Sequence, residues 1–283
     1  MVDHRVAVVT GASSGIGAAT ARTLHGLGFT VWGAARRVDR MTALADLGVR
    51  VEPLDVTVDA SMTALVTKVI DEAGQIDVLV NNAGYGSYGA VEDVPLEQAR
   101  RQFDVNVFGL ARLTQLVLPH MRARRSGTVV NVSSIGGRIY EPLGAWYHAT
   151  KFAVEGFSDS LRMEVAPFGI HVVIVEPGAI ATEWAGISAD NLQDASAGTA
   201  YADQARTMAR LLRAADASRL ASGPQVVAEA IGRAVTRRRP RPRYAVGGGA
   251  RTILALRRAL PDRALDVVLR RVYRTMALTG PAA

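Results

Sequence analysis

The chain has 283 residues, 49% hydrophobic and 21% charged, which is ample for a buried core. It contains no cysteine, which excludes disulfides and thiolate metal sites, and its five histidines show no metal-ligand clustering. The net charge of +7 is uneven: residues 233–274 hold 13 Arg against Asp262 and Asp266, a local +11, so the rest of the chain sums to −4.

Met1-Val2-Asp3-His4-Arg5 reads as neither a secretory signal nor a transit peptide. No apolar stretch is long enough to span a bilayer. A cytoplasmic location is expected. An apolar run at residues 5–10 predicts the first strand. It enters Thr10-Gly11-Ala12-Ser13-Ser14-Gly15-Ile16-Gly17, followed by a helix over 16–27. Glycines let a backbone turn sharply and approach a pyrophosphate, and the helix start offers free N–H groups and a positive dipole end. The second and third strands are expected at 29–35 and 49–54, a helix at 61–73 and a fourth strand at 77–81. One long helix is predicted over 96–124, a strand at 127–132, a helix at 147–165 and a strand at 170–175. The Ala-, Ser- and Asp-rich stretch 181–223 reads as a helical excursion on the substrate side. A helix at 224–238, a strand at 243–246 and two terminal helices complete the chain.

Alternating strands and helices predict an α/β fold: a doubly wound parallel sheet of Rossmann type. We read residues 1–248 as one domain and 249–283 as a basic amphipathic helical extension packed upon it. In that extension Leu265, Val268, Leu269, Val272 and Met276 form an expected apolar stripe, with Arg263, Arg270, Arg271 and Arg274 elsewhere. A helix docked over the core or the substrate pocket is the plain reading. Peripheral contact of 250–276 with an anionic membrane is the alternative. No nucleic-acid-binding module is present.

The second strand ends Ala34-Ala35-Arg36-Arg37, with no acid to bond a ribose 2′-hydroxyl. An Arg fork there matches a 2′-phosphate, so the expected cofactor is NADP(H). Further on, Tyr147-His148-Ala149-Thr150-Lys151 sets Tyr and Lys on one helix face. Lysine occurs only at 68 and 151. A free phenol, with pKa about 10, is only about 0.1% ionised at pH 7. Lowering that pKa by about 3 units needs about 4 kcal/mol. One cation at about 4 Å supplies that much at an effective dielectric of about 20, and Lys151, with support from the positive nicotinamide of NADP⁺, is the expected source.

The Gly-x-x-x-Gly-x-Gly spacing, Asn81-Asn82-Ala83-Gly84, Ser134 and Tyr147-x-x-x-Lys151 together resemble the short-chain dehydrogenase/reductase family. Within it the pattern looks like the NADP(H)-dependent branch with hydroxysteroid- and retinol-dehydrogenase-like members. The resemblance spans about residues 5 to 183. It implies catalytic Asn106, Ser134, Tyr147 and Lys151, with Ser133 as the nearby competitor for the serine role. Tyr147 would exchange the proton, Ser134 hold the substrate oxygen, and Asn106 hold a water that relays protons to Lys151. Gly11, Ser13, Ser14, Gly15, Ile16 and Gly17 would cradle the phosphates and Asp55 and Val56 the adenine. Asn82, Ala83 and Gly84 would border the cofactor, and Lys151 would bond its ribose. Pro177, Gly178, Ile180 and Thr182 would fix the nicotinamide.

The implied activity is hydride transfer between NADP(H) and an apolar secondary alcohol, ketone or aldehyde. Tyr85, Tyr88, Tyr140, Trp146 and Trp184 flank the motifs and are candidates to shape the substrate site, while His148 reads as a helix-surface residue. A catalytically silent NADP(H) sensor and a membrane- or partner-binding protein are the competing functions. The family's pairing of the long helices at 96–124 and 147–165 implies a homodimer or homotetramer.

Overall fold

Apolar, β-branched runs become seven strands: β1 (Val6–Thr10), β2 (Thr30–Ala35), β3 (Arg50–Pro53), β4 (Val78–Asn81), β5 (Gly127–Val132), β6 (Ile170–Pro177) and β7 (Arg243–Val246). The computed structural model describes residues 5–218 and 221–279, and their side chains except at 216, 217 and 274–279. The readings of Met1 to His4 lie outside the described residues, and those of the side chains of Arg274, expected off the stripe, and Met276, expected on it, lie outside the described side chains. The strands pair in the order β3-β2-β1-β4-β5-β6-β7, every pairing parallel. The order reverses between β1 and β4, and there the crevice beyond the strand ends admits a ligand.

Alternation along each strand builds two cores. Ala7 and Val9 of β1 face one side, with Leu24 of α1 (Gly15–Gly26) and Val227 and Ile231 of α9 (Gln225–Thr236). Val6 and Val8 face the other, with Met62 and Val69 of α3 (Asp59–Ala73), Leu113 and Val117 of α5 (Leu110–Arg124) and Leu161 of α6 (Ala145–Val165). Each such side chain contributes about 1.5–3 kcal/mol through burial, which fixes the register of the strand ends that carry the site.

Two elements differ from the sequence reading, and the expected helical excursion is met. A 3₁₀ turn at Val38–Met41 and the one-turn α2 (Thr42–Ala45) fill the β2–β3 connection. The expected single helix over 96–124 is divided into α4 (Leu96–Phe103), a π-helical segment at Asp104–Gly109, and α5. Asn106 lies in that segment, whose altered pitch re-aims its side chain. The excursion after β6 forms α7 (Glu183–Ser196) and α8 (Ala202–Ala217).

The extension forms α10 (Ala250–Ala259) and α11 (Asp262–Thr279). Leu265 is buried and Val268 and Leu269 are half-buried, so the expected stripe docks along the first turns, whereas Val272 is exposed. Tyr273, one residue on, packs instead against the cluster of Tyr88, Tyr147 and Leu192. Among the described residues no helix is long and apolar enough to cross a membrane.

Candidate active site

The turn after β1 is shaped by close approach. Gly11 and Gly15 have φ of +67° and +50°, a region that favours glycine. A Cβ on Gly17 would lie 2.1 Å from the Gly11 carbonyl oxygen, so only glycine fits as α1 begins. Thr10 ties this turn to the next strand. Its Oγ accepts the N–H groups of Asn82 at 3.0 Å and Ala83 at 2.9 Å, while Asn82 Nδ2 donates to the Thr10 carbonyl at 2.9 Å. Ser14 precedes α1 in extended conformation, and the first turn of α1 holds no acidic side chain. The N-terminal N–H groups and dipole therefore suit an anion.

Arg36 and Arg37 are exposed, and neither makes an ion pair among the described residues. Asp55 accepts hydrogen bonds from Thr57 N–H and Oγ–H at 2.9 and 2.7 Å. The Thr57 hydroxyl chiefly, with the peptide N–H and Arg36, holds its carboxyl below the usual range against opposing desolvation.

Past β6, Gly178 donates to Val246 at 2.8 Å, and a Cβ there would lie 2.2 Å from the Gly248 oxygen. Ala181 N–H and the Ala179 carbonyl pair with Ser222 at 3.0 and 3.1 Å. The peptide groups of Ile180 therefore face away from that ladder. Thr182 caps α7 through Trp184 N–H at 3.3 Å, and its methyl would sit 3.2 Å from a Cβ on Gly15. Pyrophosphate cradle and Pro-Gly turn thus meet at one crevice. A backbone with left-handed glycines, unopposed helix N–H groups and an unpaired Arg36 fits a phosphorylated dinucleotide.

Tyr147 and Lys151 are buried on α6, 6% and 9% exposed. Ser134 lies close enough to the Tyr147 hydroxyl to lower its pKa, and its Oγ accepts the Gly136 N–H at 3.0 Å. Ser133 Oγ is buried with no hydrogen-bond partner among the described residues, so of the two serines it is Ser134 that meets the phenol.

Lys151 Nζ donates to the Val132 carbonyl at 3.0 Å. Burial lowers its pKa to about 8, against the raising influence of Glu155. Burial also pushes the Tyr147 phenol up to about 12; the Ser134 hydrogen bond lowers it and the Glu141 charge raises it. The sequence-based expectation of a lowered phenol pKa is therefore not met by the protein's own groups. Desolvation under packed rings exceeds the local stabilisation of a tyrosinate.

Asn106 is 2% exposed. Its Oδ1 accepts Tyr85 N–H at 3.0 Å, and its Nδ2 donates to the Tyr85 carbonyl at 2.9 Å and to Thr150 Oγ at 3.1 Å. The amide clamps the loop after β4 onto α6, with Gly84 close against it: a Cβ there would come within 3.0 Å of Oδ1.

The aromatic candidates separate. Tyr88 stacks on Tyr147 at 5.7 Å between centroids, and Trp184 is tilted over Tyr147 at 5.1 Å. Tyr85 contributes its backbone to Asn106, and Tyr140 hydrogen-bonds Asp266 of α11 at 3.0 Å. Trp146 buries its Nε1 without a partner among the described residues. His148 is not on the helix surface as expected but 5% exposed, its Nδ1 2.8 Å from the Gly136 carbonyl. Leu143, with φ +63°, holds a strained left-handed conformation while its carbonyl accepts Gly89 N–H at 2.7 Å. Beside this cluster opens a cavity of about 450 Å³ lined by Ala90, Val91, Glu92, Leu143, Tyr201 and Gln204, without Tyr147. Glu141, Thr150 and Tyr273 carry no motif in the sequence and emerge only from the fold.

Residues 5–192 match the short chain dehydrogenase family. The chain is 36% identical over 272 residues to a 3-ketodihydrosphingosine reductase of Bacteroides thetaiotaomicron, covering 95% of this chain and 98% of that one. A short-chain dehydrogenase from Streptomyces avermitilis superposes with a TM-score of 0.79 at 37% identity, over 97% of this chain and 99% of that one. Solved relatives hold either dinucleotide. A metagenomic short-chain oxidoreductase binds NADP (27% identity, TM-score 0.67, 86% of this chain and 96% of that one). A Burkholderia phymatum relative binds NAD (26%, 0.78, 95% and 95%). The chain belongs to the short-chain dehydrogenase/reductase family. It is an NAD(P)-dependent oxidoreductase that acts on small molecules.

Proposed function

We infer that this oxidoreductase uses NADP(H) and reduces the carbonyl of an apolar ketone or aldehyde to an alcohol. The observation that carries the reading is the pair Tyr147 and Lys151, buried on one face of α6, with Ser134 of the turn after β5 acting on the phenol. When bound, NADPH supplies the hydride. Ser134 holds the substrate oxygen while Tyr147 gives it the phenolic proton, and Lys151 stabilises the phenolate left behind. A phenol pushed up to about 12 is fully protonated at neutral pH, which suits proton donation and supports the reductive direction. Asn106 acts as a clamp on this centre. Arg36, exposed and unpaired beside Asp55, is the group that selects the 2′-phosphate, and Arg37 adds positive charge.

The comparison with a 3-ketodihydrosphingosine reductase supports a ketone with an apolar chain. Exposed Phe108 of the π-helical segment and Phe152 and Met163 of α6 support pairing of two copies through these faces. Residues 249–279 close the substrate side through Leu265, Asp266 and Tyr273.

NADPH oxidation across ketones and aldehydes of graded size, with NADH in parallel, tests the reading. Tyr147→Phe is expected to lower kcat about 10²–10⁴-fold with NADPH affinity retained. Turnover kept by that variant would overturn the assignment of Tyr147. NADPH binding without turnover of any carbonyl would favour the silent sensor.

A further inference from the structure

One turn beyond Lys151 on α6, away from Tyr147, stands Glu155, which the proposed mechanism does not use. Its side chain is 7% exposed. Arg243 of β7 donates to Glu155 Oε2 from Nε at 3.1 Å and from Nη2 at 3.0 Å. The other oxygen, Oε1, is buried with no hydrogen-bond partner among the described residues. Glu176 of β6, buried as well, lies 3.5 Å from Arg243. Arg138, in the turn after β5, lies 3.9 Å from both carboxylates. Asp159, a further turn along α6, also accepts from Arg243, at 2.5 Å. Three carboxylates thus crowd around one guanidinium group.

This cluster abuts the reaction centre. A Cβ on Gly137 would lie 2.8 Å from Ser133 Oγ, 2.9 Å from Glu155 Cγ and 3.0 Å from the Lys151 carbonyl oxygen. The stem of Glu155 therefore packs into the corner where β5 ends. Lys151 is tied to that same strand end, since its Nζ donates to Val132, the residue before Ser133. Residues four apart share a helix face, so Tyr147, Lys151 and Glu155 follow one another along one face of α6. Among the described residues no carboxylate comes within 4.0 Å of the Lys151 ammonium. A buried ammonium without a paired anion is costly. Glu155 is the carboxylate whose charge favours the ammonium against that burial. The other charged groups around it are Asp159 of α6, Arg138, Glu176 of β6, Arg243 of β7 and Arg258 of α10, which acts on Glu176. The π-helical segment meets α6 through the neutral amide of Asn106.

We propose that Glu155 is a positioning residue for the reaction: its carboxylate, anchored by Arg243, keeps Lys151 an ammonium behind the phenol and so sets the upper pH limit of carbonyl reduction. This rests on the reading that the Lys151 cation stabilises the phenolate of Tyr147. Glu176 belongs to the same network but stands on a strand, off the helix face that carries Lys151.

The test is the pH profile of kcat/KM with saturating NADPH, using the ketone or aldehyde of the graded series that turns over fastest. A nearby carboxylate favours the ammonium, so its removal lets the proton leave at lower pH. Glu155→Gln is expected to move the falling limb down by about one pH unit. That is a loss of about fivefold at pH 8 and almost none at about pH 6. Glu176→Gln, which removes a buried carboxylate of the same network, should leave the limb where the native chain has it. The double variant Glu155→Gln, Arg243→Gln takes away both partners of the ion pair, so neither is left buried alone. It carries the test if the single variant does not bind NADPH, and its limb should move the same way. A limb that stays in place overturns the proposal. So does a loss in Glu155→Gln that is equal at low and high pH, or an equal shift in Glu176→Gln. A native profile with no falling limb instead removes the reading of Lys151 on which the proposal rests.

Discussion

The cofactor-facing and substrate-facing sides that the proposed function assigns to this molecule are built by different means. At the cofactor side the shape is made of backbone: strand ends of one parallel sheet, left-handed glycines, and peptide groups held by Thr10 and Asn82. At the substrate side it is made of side chains from distant segments. Tyr88, Leu143, Tyr147, Leu192, Met208 and Tyr273 come from a loop, a strained turn, α6, α7, α8 and α11. A backbone cradle tolerates no added atom but is indifferent to what reacts beyond it. A side-chain wall can change its lining without disturbing the sheet.

The largest effect should follow from damage to the backbone side. Gly17→Ala forces a Cβ against the Gly11 carbonyl, where 2.1 Å is available. We expect a loss of about 1–3 kcal/mol of stability and no NADPH binding at concentrations that saturate the native chain. Thermal midpoints with and without NADPH measure both. Normal NADPH stabilisation in this variant would break the comparison, because the cradle would then be plastic. Next comes Arg36→Asp. It removes one charge-assisted partner of a phosphate and adds repulsion, so the NADPH/NADH ratio of kcat/KM should fall about ten- to hundredfold. An unchanged ratio would take cofactor selection away from Arg36.

This division also decides what the sequence discloses. Gly11, Gly15, Gly17 and the Tyr147–Lys151 spacing are local patterns, because each is set by a turn or by one helix face. The strand runs are legible for the same reason: buried parallel strands read as apolar stretches. The π-helical segment at Asp104–Gly109 was not legible, since it answers to Asn106 bonding a loop 21 residues earlier and Thr150 on another helix. Glu141 carried no pattern; the fold alone brings it to Tyr88. His148 looked like a helix-surface neighbour of Tyr147 because one residue's step along a helix usually changes face. The β5–α6 loop closes over that face as well, through Gly136. The apolar stripe on α11 holds at Leu265, Val268 and Leu269 but misplaced Val272 and missed Tyr273, because the aromatic cluster of a distant segment decides which side chain of that turn is covered.

A smaller effect tests the junction between the two sides. Lys151 has a pKa lowered to about 8, so its cation is complete below that pH and is lost as pH rises through it. Tyr147, pushed up to about 12, keeps its proton over the same range. If the Lys151 cation stabilises the developing phenolate, kcat/KM for reduction should be level below about pH 8. It should then fall towards tenfold per pH unit above it. A profile flat to about pH 10 would separate Lys151 from proton transfer and leave it a role in holding the ribose.

The smallest effect should come from an ion pair that bridges the sides. Arg40, in the 3₁₀ turn after Arg36 and Arg37, meets Glu183 at 3.1 Å. Glu183 begins α7, and the next residue, Trp184, is tilted over Tyr147. Both side chains are about half exposed, at 43% and 55%, so solvent screens the pair. Arg40→Ala should cost less than about 1 kcal/mol, with a difference from the native chain that shrinks further as salt is added. NADPH affinity should hold, and any change should appear in the KM of the carbonyl substrate, through a looser start of α7. Thermal midpoints and KM values at low and high salt are the measurements. A loss well above 1 kcal/mol, or a matching loss of NADPH affinity, would show that α7 and the cradle move as one body. The independence of the two sides would then have to be given up.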